Sequence, residues 1–148
     1  MKKNIFFYFA LIGSITIYAF THFVSFGQEP WTEQQLIQPE DLAKNLNDEK
    51  VNKPIILSVG PGGGIKGSIE FGSAKEKENI EKLKAYLTKL PKDAEIVIYC
   101  GCCPFAPCPN IRPSFQLLSE MKFTNHKLLN LSHNLKADWI DKGYPMNK

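Results

Sequence analysis

The chain has 148 residues, 43% of them hydrophobic and 22% charged, enough apolar material for one ordinary core and too little length for two domains of usual size. The net charge of +3 falls to +1 once Lys2 and Lys3 of the leader are set aside, so no nucleic-acid surface has electrostatic support. Four cysteines, Cys100, Cys102, Cys103 and Cys108, lie within nine residues, and no other cysteine occurs in the chain. That is too few for a disulfide scaffold, and they are all in one place.

Residues 1–27 read as an export signal. Lys2 and Lys3 form a positive start, Ile5 to Phe20 an apolar run, and Ser25-Phe26-Gly27 a small-residue cleavage zone before Gln28. No cysteine sits near that zone, which excludes lipoprotein anchoring. The rival reading is an uncleaved membrane anchor, since Ile5 to Phe26 is long enough to span a bilayer. Either way the remainder is expected outside the cytoplasm, periplasmic or extracytoplasmic, with membrane contact only through a retained leader.

Residues 28–36 form a polar lead-in, and the domain proper runs over 37–148. Ile37 ends a short strand. Pro39 then suits a first helical turn, Glu40 and Asp41 favour its positive end, and Leu42 and Leu46 carry the helix to about Asn47. Ile55 to Val59, bounded by Pro54 and Gly60, is a buried strand. The glycines from Gly60 to Gly72 make a loop. Lys75 to Leu90 is the clearest helix, with Ile80, Leu83, Leu87 and Leu90 as its apolar stripe and Glu78 four before Lys82. Its charges read as a solvated face. Ala94 to Tyr99 is a second buried strand with Cys100 at its end; a helix from Pro113 to Met121, a strand over Lys127 to Leu131 and a helix from Leu135 to Lys142 follow. The alternation predicts an α/β domain with a mostly parallel central sheet flanked by helices. Ligands bind beyond the carboxyl ends of such strands, which is where Cys100 falls.

The loop from Cys100 to Ser114 makes poor staples of its cysteines. Short closed loops gain little from a disulfide, and Cys102 and Cys103 are adjacent, which strains a bond between them. Three chemistries stay open. One is a nucleophilic thiolate on Cys100, favoured by backbone N–H groups, a helix N-terminus and Arg112. A second is thiol–disulfide exchange with a redox partner protein through the C-x-x-C of Cys100 and Cys103. The third is a soft-metal site for copper(I) or zinc made by Cys100, Cys102, Cys103 and Cys108, without a histidine close in sequence. His126 and His133 read as surface or turn residues, and Trp139 and Tyr144 as packing residues.

The order of segments also carries a family resemblance. Ile37-Gln38-Pro39-Glu40-Asp41-Leu42, Gly63-Gly64-Ile65-Lys66-Gly67-Ser68-Ile69, Ile96-Val97-Ile98-Tyr99-Cys100, Asn110-Ile111-Arg112-Pro113-Ser114 and the stretch Leu135 to Pro145 look like the successive segments of a single rhodanese domain in their order and spacing, over about 110 residues. The chain resembles that sulfurtransferase family. It differs in having Ser58-Val59-Gly60 where the family has D-V-R, Gly64 where it has histidine, and eleven residues between Cys100 and Arg112, a longer active loop carrying the three extra cysteines. The resemblance implies a rhodanese-like fold and a persulfide on Cys100. It also implies anion stabilisation by Arg112, Cys103 as a resolving or relay thiol, and substrate contacts from Gly101, Cys102, Cys108, Asn110 and Ile111. A small sulfur donor and a thiol acceptor are the partners it implies, and it calls for no cofactor.

Overall fold

The structure, a computed structural model, describes residues 29–148, so the leader expected over residues 1–27 lies outside the described residues. The architecture is α/β: five strands in one sheet, every neighbouring pair parallel. Strand β1 is Leu36–Ile37, β2 Ile55–Ser58, β3 Ile69–Glu70, β4 Ile96–Tyr99 and β5 His126–Leu129; they stand in the order β1-β5-β4-β2-β3. Helices α1 (Pro39–Asn47), α2 (Lys77–Leu87) and α3 (Ile111–Glu120) make the crossovers that parallel pairing demands.

Side-chain alternation along the strands sorts the interior into two layers. Leu57, Ile96, Ile98 and Leu128 face one way, onto Leu83 and Leu87 of α2 and Phe115 and Leu118 of α3. Ile56, Val97, Tyr99 and Leu129 face the other, onto Leu42 and Leu46 of α1 and onto Trp139. Strand β4 is buried at all four positions because helices cover both of its faces, which is why Ile-Val-Ile-Tyr reads as a continuous apolar run.

Three local readings change. The glycine segment contains the edge strand β3, paired Leu57 to Ile69 and Ser58 to Glu70; two residues between glycines leave no period to detect. The helix expected over Leu135 to Lys142 is a π-helical turn, Lys136–Ile140, ended by Gly143 at a φ of 71° and by a bond from Trp139 Nε1 to the Pro145 carbonyl. The lead-in holds a 3₁₀ turn, Glu33–Gln35, and Trp31, which is buried against Phe105 and Phe115 with ring centroids 5.8 and 5.7 Å away. Among the described residues no helix is long and apolar enough to cross a membrane.

Candidate functional site

The central strand β4 delivers Cys100 at its carboxyl end, between the ends of β2 and β5. Opposite it lies Gly60, two residues beyond β2. A Cβ on Gly60 would overlap the Cys100 sulfur and come within 3.3 Å of Asn110 Nδ2, so only glycine leaves room for the thiol. Gly101 is equally constrained, since a Cβ there would run into the Gly62 carbonyl oxygen and lie 3.2 Å from Leu135 Cβ. The Gly101 carbonyl in turn accepts from Leu135 N at 3.1 Å, and Phe105 N donates to the Leu131 carbonyl at 3.0 Å. The cysteine loop is thereby tied to the segment after β5.

All four cysteine sulfurs lie within 4.8 Å of one another. Cys100 and Cys108 are buried, Cys103 is half-buried and Cys102 is exposed, and every one is a free thiol. Sulfur–sulfur contacts join Cys100 to Cys102 at 3.4 Å and Cys102 to Cys103 at 3.3 Å. The C-x-x-C partners Cys100 and Cys103 belong to the same cluster, and neither of these two contacts joins them.

Asn110, at the start of α3, is the polar anchor. Its Oδ1 accepts from Ser73 Oγ at 2.8 Å and from Lys75 N at 3.2 Å. Those two donors fix the amide orientation, so Nδ2 points to the Cys100 sulfur at 3.4 Å. The Cys100 thiol is drawn down to about 5. Donation from the Cys108 thiol is the main cause, working against burial, with the Cys102 backbone N–H, Asn110 and the Cys102 thiol adding to it. Cys108 correspondingly holds its proton well above the usual thiol range, first because that proton is given to Cys100 and then because of burial. Burial, together with the neighbouring thiols, pushes Cys102 up to about 12. These shifts favour a negative charge on Cys100 over one on Cys102 or Cys108.

Arg112 is placed differently from the sequence expectation. Its guanidinium pairs with Glu29 at 2.6 Å, donates to the Ala106 carbonyl at 3.3 Å and lies 5.4 Å over the Trp31 ring. The side chain that reaches the Cys100 sulfur is Asn110 instead. The Ile111 side chain is fully buried in the core, so its contribution is to packing. His126 is not a surface residue: it is buried on β5, its Nδ1–H donating to the Phe123 carbonyl at 3.0 Å while Nε2 accepts from Ser119 Oγ and Gln35 Nε2 at 3.3 and 3.4 Å. His133 is exposed and pairs with Asp138 at 2.9 Å.

Gly60, Ser73 and Tyr99 were not legible as site residues. Tyr99 faces away from the thiols, and its hydroxyl accepts from Gly64 N at 3.1 Å and Ile65 N at 3.4 Å, pinning the glycine loop. Only Gly60 carried a signal, a glycine directly after a buried strand.

No family model and no curated protein matches the chain. Solved structures do match its fold, among them the complex of hercynine with a cysteine-to-serine variant of EanB, at 20% identity and a TM-score of 0.54. The match covers 77% of this chain and 27% of that one, so the chain spans about a quarter of that protein's length. Likeness at this identity speaks to the shared α/β architecture.

Proposed function

We propose that the protein is a rhodanese-type sulfurtransferase or sulfur carrier, acting outside the cytoplasm, that forms a persulfide on Cys100. The observation carrying this reading is the position of Cys100. It follows the central strand of a parallel sheet directly, with the amide of Asn110 aimed at its sulfur and a glycine opposite leaving it space. A buried, hydrogen-bonded thiolate needs no separate base to attack.

In the first step the Cys100 thiolate attacks the outer sulfur of a donor. A new S–S bond forms, the donor's own S–S bond breaks, and the donor remainder leaves with that electron pair. In the second step an acceptor thiolate attacks the outer sulfur of the persulfide, and Cys100 leaves as the thiolate it was at the start. Donation from Asn110 Nδ2 and the Cys108 thiol favours that leaving group. No net oxidation occurs, so a cycle needs only donor and acceptor. The exposed Cys102, 3.4 Å from Cys100, stands where sulfur passes between the buried thiol and solvent.

The test is sulfur release to cyanide with thiosulfate as donor. The parent chain is expected to turn over and Cys100→Ser to be inactive, whereas Cys103→Ser is expected to keep most of the activity. Equal activity in the Cys100→Ser variant would remove Cys100 as the nucleophile.

A further inference from the structure

The four thiols hold one another poorly. Thiols are weak donors and weak acceptors, so the S–H···S contacts within the cluster explain little of why four sulfurs from one nine-residue stretch converge. Their arrangement fits a different partner. A zinc ion bound by four thiolates has Zn–S bonds of about 2.3 Å, which places its sulfurs about 3.8 Å apart along the tetrahedron's edges. Here two pairs stand at 3.4 and 3.3 Å and none exceeds 4.8 Å. Side-chain shifts of about 1 Å or less bring all four to bonding distance of a single centre.

We propose that Cys100, Cys102, Cys103 and Cys108 together bind one zinc ion. The proposal rests on ligand type and placement and stands independently of sulfur transfer. Thiolates select soft ions such as zinc and copper(I) over magnesium and calcium, and four of them around one point match zinc's preferred tetrahedral coordination. The surroundings supply the outer contacts such a centre uses: Asn110 Nδ2 already donates to the Cys100 sulfur, and Ser73 and Lys75 N lock that amide in place. Neither described histidine competes, since His126 is turned to Phe123, Ser119 and Gln35 and His133 to Asp138. Two ligands are buried and one is exposed, which gives the ion an entry side at Cys102. A bound ion engages the Cys100 sulfur, so zinc occupancy and sulfur loading exclude each other, and zinc acts as an inhibitor of the site.

The test is metal titration of the reduced, chelator-treated chain under anaerobic conditions. Cobalt(II) serves as the spectroscopic probe and zinc as its competitor. The expected result is one cobalt per chain with the intense visible bands of a tetrahedral tetrathiolate. Stoichiometric zinc should erase those bands and protect all four thiols from maleimide. Cys102 is exposed, so Cys102→Ser keeps the fold, as far-ultraviolet circular dichroism will check. It is expected to lose roughly tenfold or more in affinity and to shift the cobalt bands to those of three sulfurs and one oxygen. Less than one ion per chain, or unchanged affinity and spectrum in Cys102→Ser, would overturn the proposal. Uptake of copper(I) without uptake of zinc would overturn the identity of the ion.

Discussion

At the scale of single residues the chemistry depends on how one sulfur is solvated. Burial opposes a charge on Cys100, and the thiol of Cys108, the Cys102 backbone N–H and Asn110 together outweigh it. Because the thiol is drawn down to about 5, sulfur loading of the reduced, metal-free chain should rise as pH climbs through about 5 and stay level at neutral pH. Asn110→Asp keeps the acceptor for Ser73 and Lys75 N but turns an anionic oxygen toward the sulfur. The loading profile should then move to higher pH and the plateau rate fall roughly tenfold, the worth of one hydrogen bond to a charged group. A pH profile of single-turnover loading checks both, and an unmoved midpoint would show that Asn110 does not set the thiolate. The cysteine cluster was legible from the sequence because chemistry-bearing residues are rare and were clustered. The displacement of Arg112 was not legible, since its partners Glu29 and Trp31 are about eighty residues away along the chain.

At the scale of elements, the buried strands and the three helices were readable to within a few residues, because each carries an uninterrupted apolar run or a helical stripe. The two-residue strand β3 and the π-helical character of the last turn escape such patterns, and only pairing or a local stop defines them. At the site the segment after β2 packs tightly against the end of β4. Gly60→Ala pushes a methyl group into the Cys100 sulfur and against the Asn110 amide. Fully buried neighbours such as Val59 and Tyr99 leave little slack for relief. The expected outcome is a chain about 1–3 kcal/mol less stable, in the usual range for overpacking, with sulfur loading reduced far more than stability. Urea unfolding and a loading assay on the same preparation separate the two effects. Normal loading in Gly60→Ala would show that the sulfur has room the structure does not display.

At the scale of the whole molecule the sheet separates two apolar layers, and the thiol cluster grows from one of them: Cys100 and Cys108 pack with Ile98, Ile111 and Phe115. The same layer reaches His126, whose ring lies 4.6 Å from that of Phe115. Burial holds the His126 imidazole below its ordinary range, the Phe123 carbonyl opposing in part. The group stays neutral in the fold and takes up its proton more readily when unfolded. Stability should therefore be level above about pH 6.5 and decline as pH falls below it. Thermal unfolding between neutral and mildly acid pH measures that decline, and His126→Gln should flatten it. An equal acid response in the variant would assign it to other groups.

The layered sheet follows from hydrophobic periodicity, whereas the proposed sulfur transfer rests on a single sulfur at the end of the central strand. Intact mass and peptide mapping of the reduced chain, compared before and after exposure to thiosulfate with thiols blocked only for the analysis, test that claim most directly. The account predicts one added sulfur atom per chain, located on Cys100, removable by cyanide and absent from Cys100→Ser. No added sulfur, or sulfur added equally in Cys100→Ser, would contradict it.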